Sequence, residues 1–125
     1  MPFTYSIDPR ARMLFVVGEG SVTQAERLAA MRAWLSDHLY EPGFDTLADF
    51  SASTSTPGLT ELREIVAFIR ENAAMIGRKK LAIVTTSSFT YGVARQFQLM
   101  AEAGPLEVRV FTDRGSAQGW LAGIV

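Results

Sequence analysis

Residues 49–62 read DFSASTSTPGLTEL, and what flanks this stretch decides the fold. On its amino side, residues 46–50 (TLADF) form a short apolar run of strand character that ends at Asp49-Phe50. On its carboxyl side, Leu62, Ile65, Val66, Ile69, Ala73 and Ile76 recur at the three- and four-residue intervals of one helix face. Pro57-Gly58 supplies the turn between them, Thr60 a helix cap and Gly77 a stop. Strand, polar loop and helix in that order are the building unit of a parallel sheet.

The same unit recurs outward in both directions. Residues 3–7 alternate as a strand, and Asp8-Pro9-Arg10 turns the chain into residues 13–17 (MLFVV), an unbroken apolar run that reads as a buried central strand. Residues 18–21 (GEGS) break it. Thr23-Gln24-Ala25-Glu26 has the Thr-x-x-Glu spacing of a helix start with reciprocal capping. A helix to about His38 follows, with Leu28, Met31, Leu35 and Leu39 as its expected core face and Trp34 on the shoulder. Downstream, Arg78-Lys79-Lys80 reads as a solvated turn, residues 81–84 (LAIV) as a fourth strand, and residues 85–88 (TTSS) as the lead into a helix carrying Val93, Ala94, Phe97 and Met100 on one side. Gly104-Pro105 ends that helix, residues 107–111 (EVRVF) alternate as a fifth strand, and Asp113 caps a last helix through Leu121. The order β-β-α-β-α-β-α-β-α predicts an α/β fold, with a single mixed five-stranded sheet in one domain over residues 1–125. Its helix-linked strands should be parallel with right-handed crossovers. Whether the helices cover one face or both is left open at this level.

Composition narrows the function. The chain has 125 residues, 48% of them hydrophobic and 20% charged, the balance of a globular protein that folds alone. Twelve basic against thirteen acidic side chains give a net charge of −1, without the basic footprint of a nucleic-acid binder. Cysteine is absent, which excludes disulfides and thiolate chemistry. No apolar run is long enough to span a membrane, and MPFTYSIDPRAR lacks the apolar core of a signal peptide, so a cytoplasmic protein is expected.

Ligands of open α/β sheets favour the carboxyl ends of the parallel strands. Four loops belong there: residues 18–23, 49–60, 85–92 and 111–116. Two are rich in hydroxyls and lead into helix amino-termini, where free amides suit a phosphate or carboxylate, or where the hydroxyls simply cap. Ser51, Ser55, Thr56 and Gly58 are the candidates in the first of these loops. Phe89 and Tyr91 could wall a pocket in the second, with Arg95 as an anion-binding cation and Asp49 and Asp113 as the acidic candidates. His38 is the sole histidine, expected in the last turn of its helix. No nucleophile–base pair, dinucleotide glycine set or Gly-Lys-Ser/Thr phosphate loop can be assembled. A non-enzymatic protein without cofactor or metal is the expectation.

Several stretches carry a resemblance. The opening hairpin, the Asp49 loop and its helix, LAIVTTSSFTYGVARQFQ (81–98) and VRVFTDRGSAQGWL (108–121) are together similar to STAS-like proteins related to sporulation anti-sigma-factor antagonists. Within that group the chain resembles the bacterial SpoIIAA-like branch. In the antagonists, an Asp-Leu-Ser-like segment leads to Asp-Ser-Ser-Gly-Leu, whose first serine a partner kinase phosphorylates. Asp49-Phe50-Ser51 resembles the former, and Ser55-Thr56-Pro57-Gly58-Leu59 occupies the place of the latter, with Thr56 at the phosphoacceptor position. Ser55 and Pro57 depart from that pattern. The resemblance implies a regulatory protein-interaction module controlled at residues 51–60, with a kinase or an anti-sigma-like factor as partner. The alternative is a carrier of a small amphipathic or lipid-like molecule, its pocket at the strand ends and walled by Phe89, Tyr91, Phe97 and Met100. A sheet edge or an apolar helix face would also offer a route to a homodimer.

Overall fold

The structure is a computed structural model and describes residues 3–124. Strands β1 (Phe3–Asp8) and β2 (Met13–Gly20) form an antiparallel hairpin. Asp8 closes its turn by accepting the Arg10 and Ala11 amides, and Arg12 takes the left-handed conformation at φ 54°. Helix α1 (Gln24–Ser36) then leads to β3 (Asp45–Ser53), and helices α2 (Leu59–Glu71) and α3 (Ala73–Ile76) to β4 (Lys79–Val84). Helix α4 (Ser88–Met100), β5 (Leu106–Phe111) and α5 (Arg114–Leu121) complete the order. The five strands lie side by side in chain order, β1-β2-β3-β4-β5, with every pair after the hairpin parallel.

That order settles the layering. Right-handed crossovers that always step toward the same edge must all place their helices on the same face. Accordingly Leu35 of α1, Leu62, Val66 and Ile69 of α2, and Ala94 and Phe97 of α4 share one core with Leu14, Val16, Ala48, Ile83 and Val108 of the sheet. The opposite face carries a smaller cluster, in which Ala117 and Trp120 of α5 cover Leu47, Ala82 and Val84.

Several local readings need correction. Leu28 and Leu39 are not the core face of α1: Leu39 is exposed beyond the helix end, and Arg27 is buried instead, one turn before the partly buried Met31 and two before Trp34. Helix α1 ends at Ser36, so His38 lies outside it and is exposed. Thr60 does not cap α2. The helix begins at Leu59, and the Glu61 carboxylate reaches back to accept the Gly58 amide at 2.8 Å. The helix expected through Ile76 breaks at Asn72, whose side chain donates to the Phe68 carbonyl before the single turn of α3. Lys79 and Lys80 are not a solvated turn but the first residues of β4. Among the described residues no helix is long and apolar enough to cross a membrane.

Candidate functional site

Beneath the three crossover helices lies a cavity of about 190 Å³. Ladder pairing sets Val16, Ala48 and Ile83 side by side on this face, and all three line the cavity with Leu62, Ile65 and Ile69 of α2 and Val93, Ala94 and Phe97 of α4. Alanine at positions 48 and 94, where a larger side chain would fill the space, leaves room between sheet and helices. Near the strand carboxyl ends, Phe50 and Phe3 meet edge to face at 5.9 Å. Gly18 accommodates Phe50, since a β-carbon there would stand 2.7 Å from its ring.

The rim at the strand carboxyl ends is built from Ser53, Ser55, Thr56 and Pro57 of the hydroxyl-rich loop, with Thr90 of α4. Ser55 fixes this loop: its Oγ accepts the Val22 amide at 2.8 Å and donates to the Val22 carbonyl at 3.3 Å. Arg27 joins the rim from α1. Its Nη1 donates to Gln24 Oε1 at 3.3 Å and stands 3.8 Å from Glu61 Oε2, and Gln24 in turn donates to the Glu61 carbonyl, so the starts of α1 and α2 are clasped together. Burial pushes the Arg27 guanidinium below its usual pKa. Thr85 lies just past the end of β4, and its Oγ1 is buried with no hydrogen-bond partner among the described residues.

At the amino ends of the strands the cavity finishes against Ile76, Leu106 and Lys79. Lys79 shares the inward face of β4 with Leu81 and Ile83, which brings its ammonium among buried groups. Nζ donates to Thr46 Oγ1 at 2.8 Å and to Tyr40 Oη at 3.2 Å, and Tyr40 Oη donates to the Ile76 carbonyl at 2.9 Å. Burial pushes the Lys79 pKa down to about 8, against a smaller opposing pull from the Asp45 carboxylate. Burial likewise pushes Tyr40 up to about 12. None of the ion pairs of the described residues includes Lys79.

The residues singled out from sequence divide between several places. Ser55 and Thr56 line the cavity, and Gly58 starts α2 beside it. Asp49 lies on the other face of the sheet, where it accepts Ser51 Oγ at 2.6 Å and Arg114 Nη1 at 3.3 Å. Asp113 is the cap of α5; the Ser116 amide it accepts holds its carboxyl below the ordinary range. Phe89 and Tyr91 belong to the first turns of α4 rather than to a loop, are exposed, and do not wall the cavity, whereas Phe97 does. Arg95 is exposed and donates to Gln98. Arg27 and Lys79 were not anticipated, and Thr85 was anticipated only as the start of the 85–92 loop. For Lys79 a signal existed: stepping back two residues from Leu81 along the strand alternation reaches the same face.

No family model matches the chain, and no curated protein resembles it by sequence. Its structure is similar to the crystal structure of an uncharacterized protein from the DUF3478 family, with a SpoIIAA-like fold, from Shewanella loihica PV-4. The TM-score is 0.63 at 16% identity, over 95% of this chain and 93% of that one. The fold is therefore SpoIIAA-like, with one antiparallel and three parallel strand pairings.

Proposed function

We propose that this SpoIIAA-like chain is a binding protein, not an enzyme, and that its cavity receives a small apolar or amphipathic molecule. The cavity itself carries the reading. Protein interiors pack with few voids larger than a water molecule. A space of 190 Å³, open at its rim and lined mainly by apolar side chains, deprives those side chains of packing partners, a cost to the fold. An occupant would offset that cost. The space also exceeds the ~150 Å³ engineered cavity that stays dry and takes up benzene.

An environment-sensitive naphthalene dye tests the reading. Ala48→Ile extends a β-branched side chain into the void from the central strand. It should raise thermal stability and weaken dye binding by at least about tenfold, the effect of roughly 1.4 kcal/mol. Unchanged dye binding in a folded Ala48→Ile protein would remove the cavity as the site.

A protein-interaction role rests on a different observation, the exposure of Phe89 and Leu99 on α4. Thr56 lines the cavity rim, so a phosphate there would act at the opening. Thr56→Glu should then change dye affinity as well as any partner's. An unaltered dye isotherm, together with an unphosphorylated 51–60 loop in cells, would rule out such control.

A further inference from the structure

We propose that the occupant is an acidic amphiphile whose carboxylate pairs with the Lys79 ammonium at the inner end of the cavity, its apolar body running toward the Ser53–Thr56 rim. This rests on the cavity being a ligand site, and it names the ligand's class and orientation.

Charge supports it first. Two lining residues are cationic, Arg27 and Lys79, and none is acidic. A chain whose basic and acidic residues nearly balance has placed only one sign around its apolar void. The two cations differ in what they already hold. Arg27 has Glu61 at 3.8 Å and Gln24 at 3.3 Å, which leaves it a clasp between helices. Lys79 has two neutral oxygens, Thr46 Oγ1 and Tyr40 Oη, and no carboxylate within ion-pair distance among the described residues. An ammonium with three protons that donates two of them to neutral partners keeps one donor free. Lys79 is half-buried in the unliganded fold, so part of its desolvation has already been incurred and a carboxylate arriving there gains the attraction at a reduced further cost on the protein side. Burial outweighs the pull of the Asp45 carboxylate and moves this lysine's pKa down, the direction expected of a cation whose charge is only partly compensated.

Shape supports it second. Lining residues run along β4 from Lys79 through Leu81 and Ile83 to Thr85 just past its end, a span of roughly 20 Å at about 3.3 Å per residue. That length accommodates an extended alkyl chain between Lys79 and the Ser53–Thr56 rim.

The test compares octanoate with octanol, equal in chain length and different in charge, by isothermal titration against the full chain at neutral pH. Octanoate should bind the wild-type protein at least about tenfold more tightly than octanol, the effect of one charge-assisted hydrogen bond. Lys79→Met, which keeps the side-chain length, should bind the two alike and keep octanol affinity within about twofold. A carbonyl-labelled octanoate should show a bound carboxylate resonance that Lys79→Met moves and Arg27→Gln does not. Equal affinity for the two probes in the wild-type protein, or an acid preference that survives Lys79→Met, overturns the acid assignment while leaving the cavity as a site. Should Lys79→Met fail to fold, the wild-type preference and the Arg27→Gln resonance still decide. Absence of binding by either probe overturns the ligand reading and the acid assignment together.

Discussion

Replacing Lys79 with methionine should stabilise the protein at neutral pH, although it deletes two hydrogen bonds. The ammonium is held with its pKa at about 8 instead of the ordinary 10.5. At 1.36 kcal/mol per pKa unit, keeping it charged inside the fold costs about 3 kcal/mol relative to the unfolded chain. Methionine has nearly the same length and no charge. Against the gain stands Thr46 Oγ1, which loses its donor at a cost of about 1 kcal/mol; Tyr40 Oη keeps its bond to the Ile76 carbonyl. The expected net gain is about 2 kcal/mol at pH 7, or roughly 8 °C in melting temperature for a chain of this size. Its pH dependence follows from the direction of the shift. Between pH 8 and 10.5 the unfolded chain retains the lysine proton that the folded chain has released, so wild-type stability rises with pH across that window relative to the variant. The variant's advantage is therefore full well below pH 8, and above 10.5 only the lost hydrogen bond remains, a deficit of about 1 kcal/mol. Urea denaturation at pH 7 and at pH 10.5, with unchanged slopes, measures both differences. A variant less stable than wild type at pH 7, or a difference that is the same at both pH values, would refute the reasoning.

Two further substitutions test the fold around the cavity. Gly77 sits at φ 73°, and a β-carbon there would lie 2.4 Å from the Gly43 amide nitrogen, so Gly77→Ala should lose about 3 kcal/mol or more in chemical denaturation; near-neutral behaviour would show that this approach relaxes freely. Thr85→Val removes a buried hydroxyl without a hydrogen-bond partner and should raise stability by about 1 kcal/mol in the same assay, whereas a loss would reveal a bond that the hydroxyl makes.

The sheet was legible because its signals are local. Apolar runs such as MLFVV and LAIV, the Thr23–Glu26 capping pair and Gly104-Pro105 each state their role within a few residues, and the alternation of strand and helix implies parallel pairing. The gathering of all the crossover helices on one face was not legible in any one segment. It follows from strand order, which depends on which strands meet across some thirty residues of intervening chain. The site was half legible. Ser55 and Thr56 were found because hydroxyls gathered at a strand end are conspicuous. Lys79 was hidden by its basic neighbours Arg78 and Lys80, which suggested water, while its register with Leu81 placed it inside. Arg27 was hidden by Leu28: hydrophobicity favoured the leucine, but the helix turns its arginine toward the clasp with Glu61 and Gln24. The cavity could not be read from residue types at all, because Ala48 and Ala94 look like ordinary core positions until their facing elements are in place.

Strand order also bears on how the chain assembles. Each strand pairs only with the one before it and the one after it, and no ladder reaches further along the chain than that joining Thr46 to Leu81. Every closure is therefore of moderate length, and none requires a late segment to insert between earlier ones. A growing chain would find a finished edge waiting for each new strand, in the order in which synthesis delivers it. Pulse-labelled hydrogen exchange during refolding should accordingly protect the β2–β3 amides no later than those of β5, and earlier protection of β5 would exclude this sequential route.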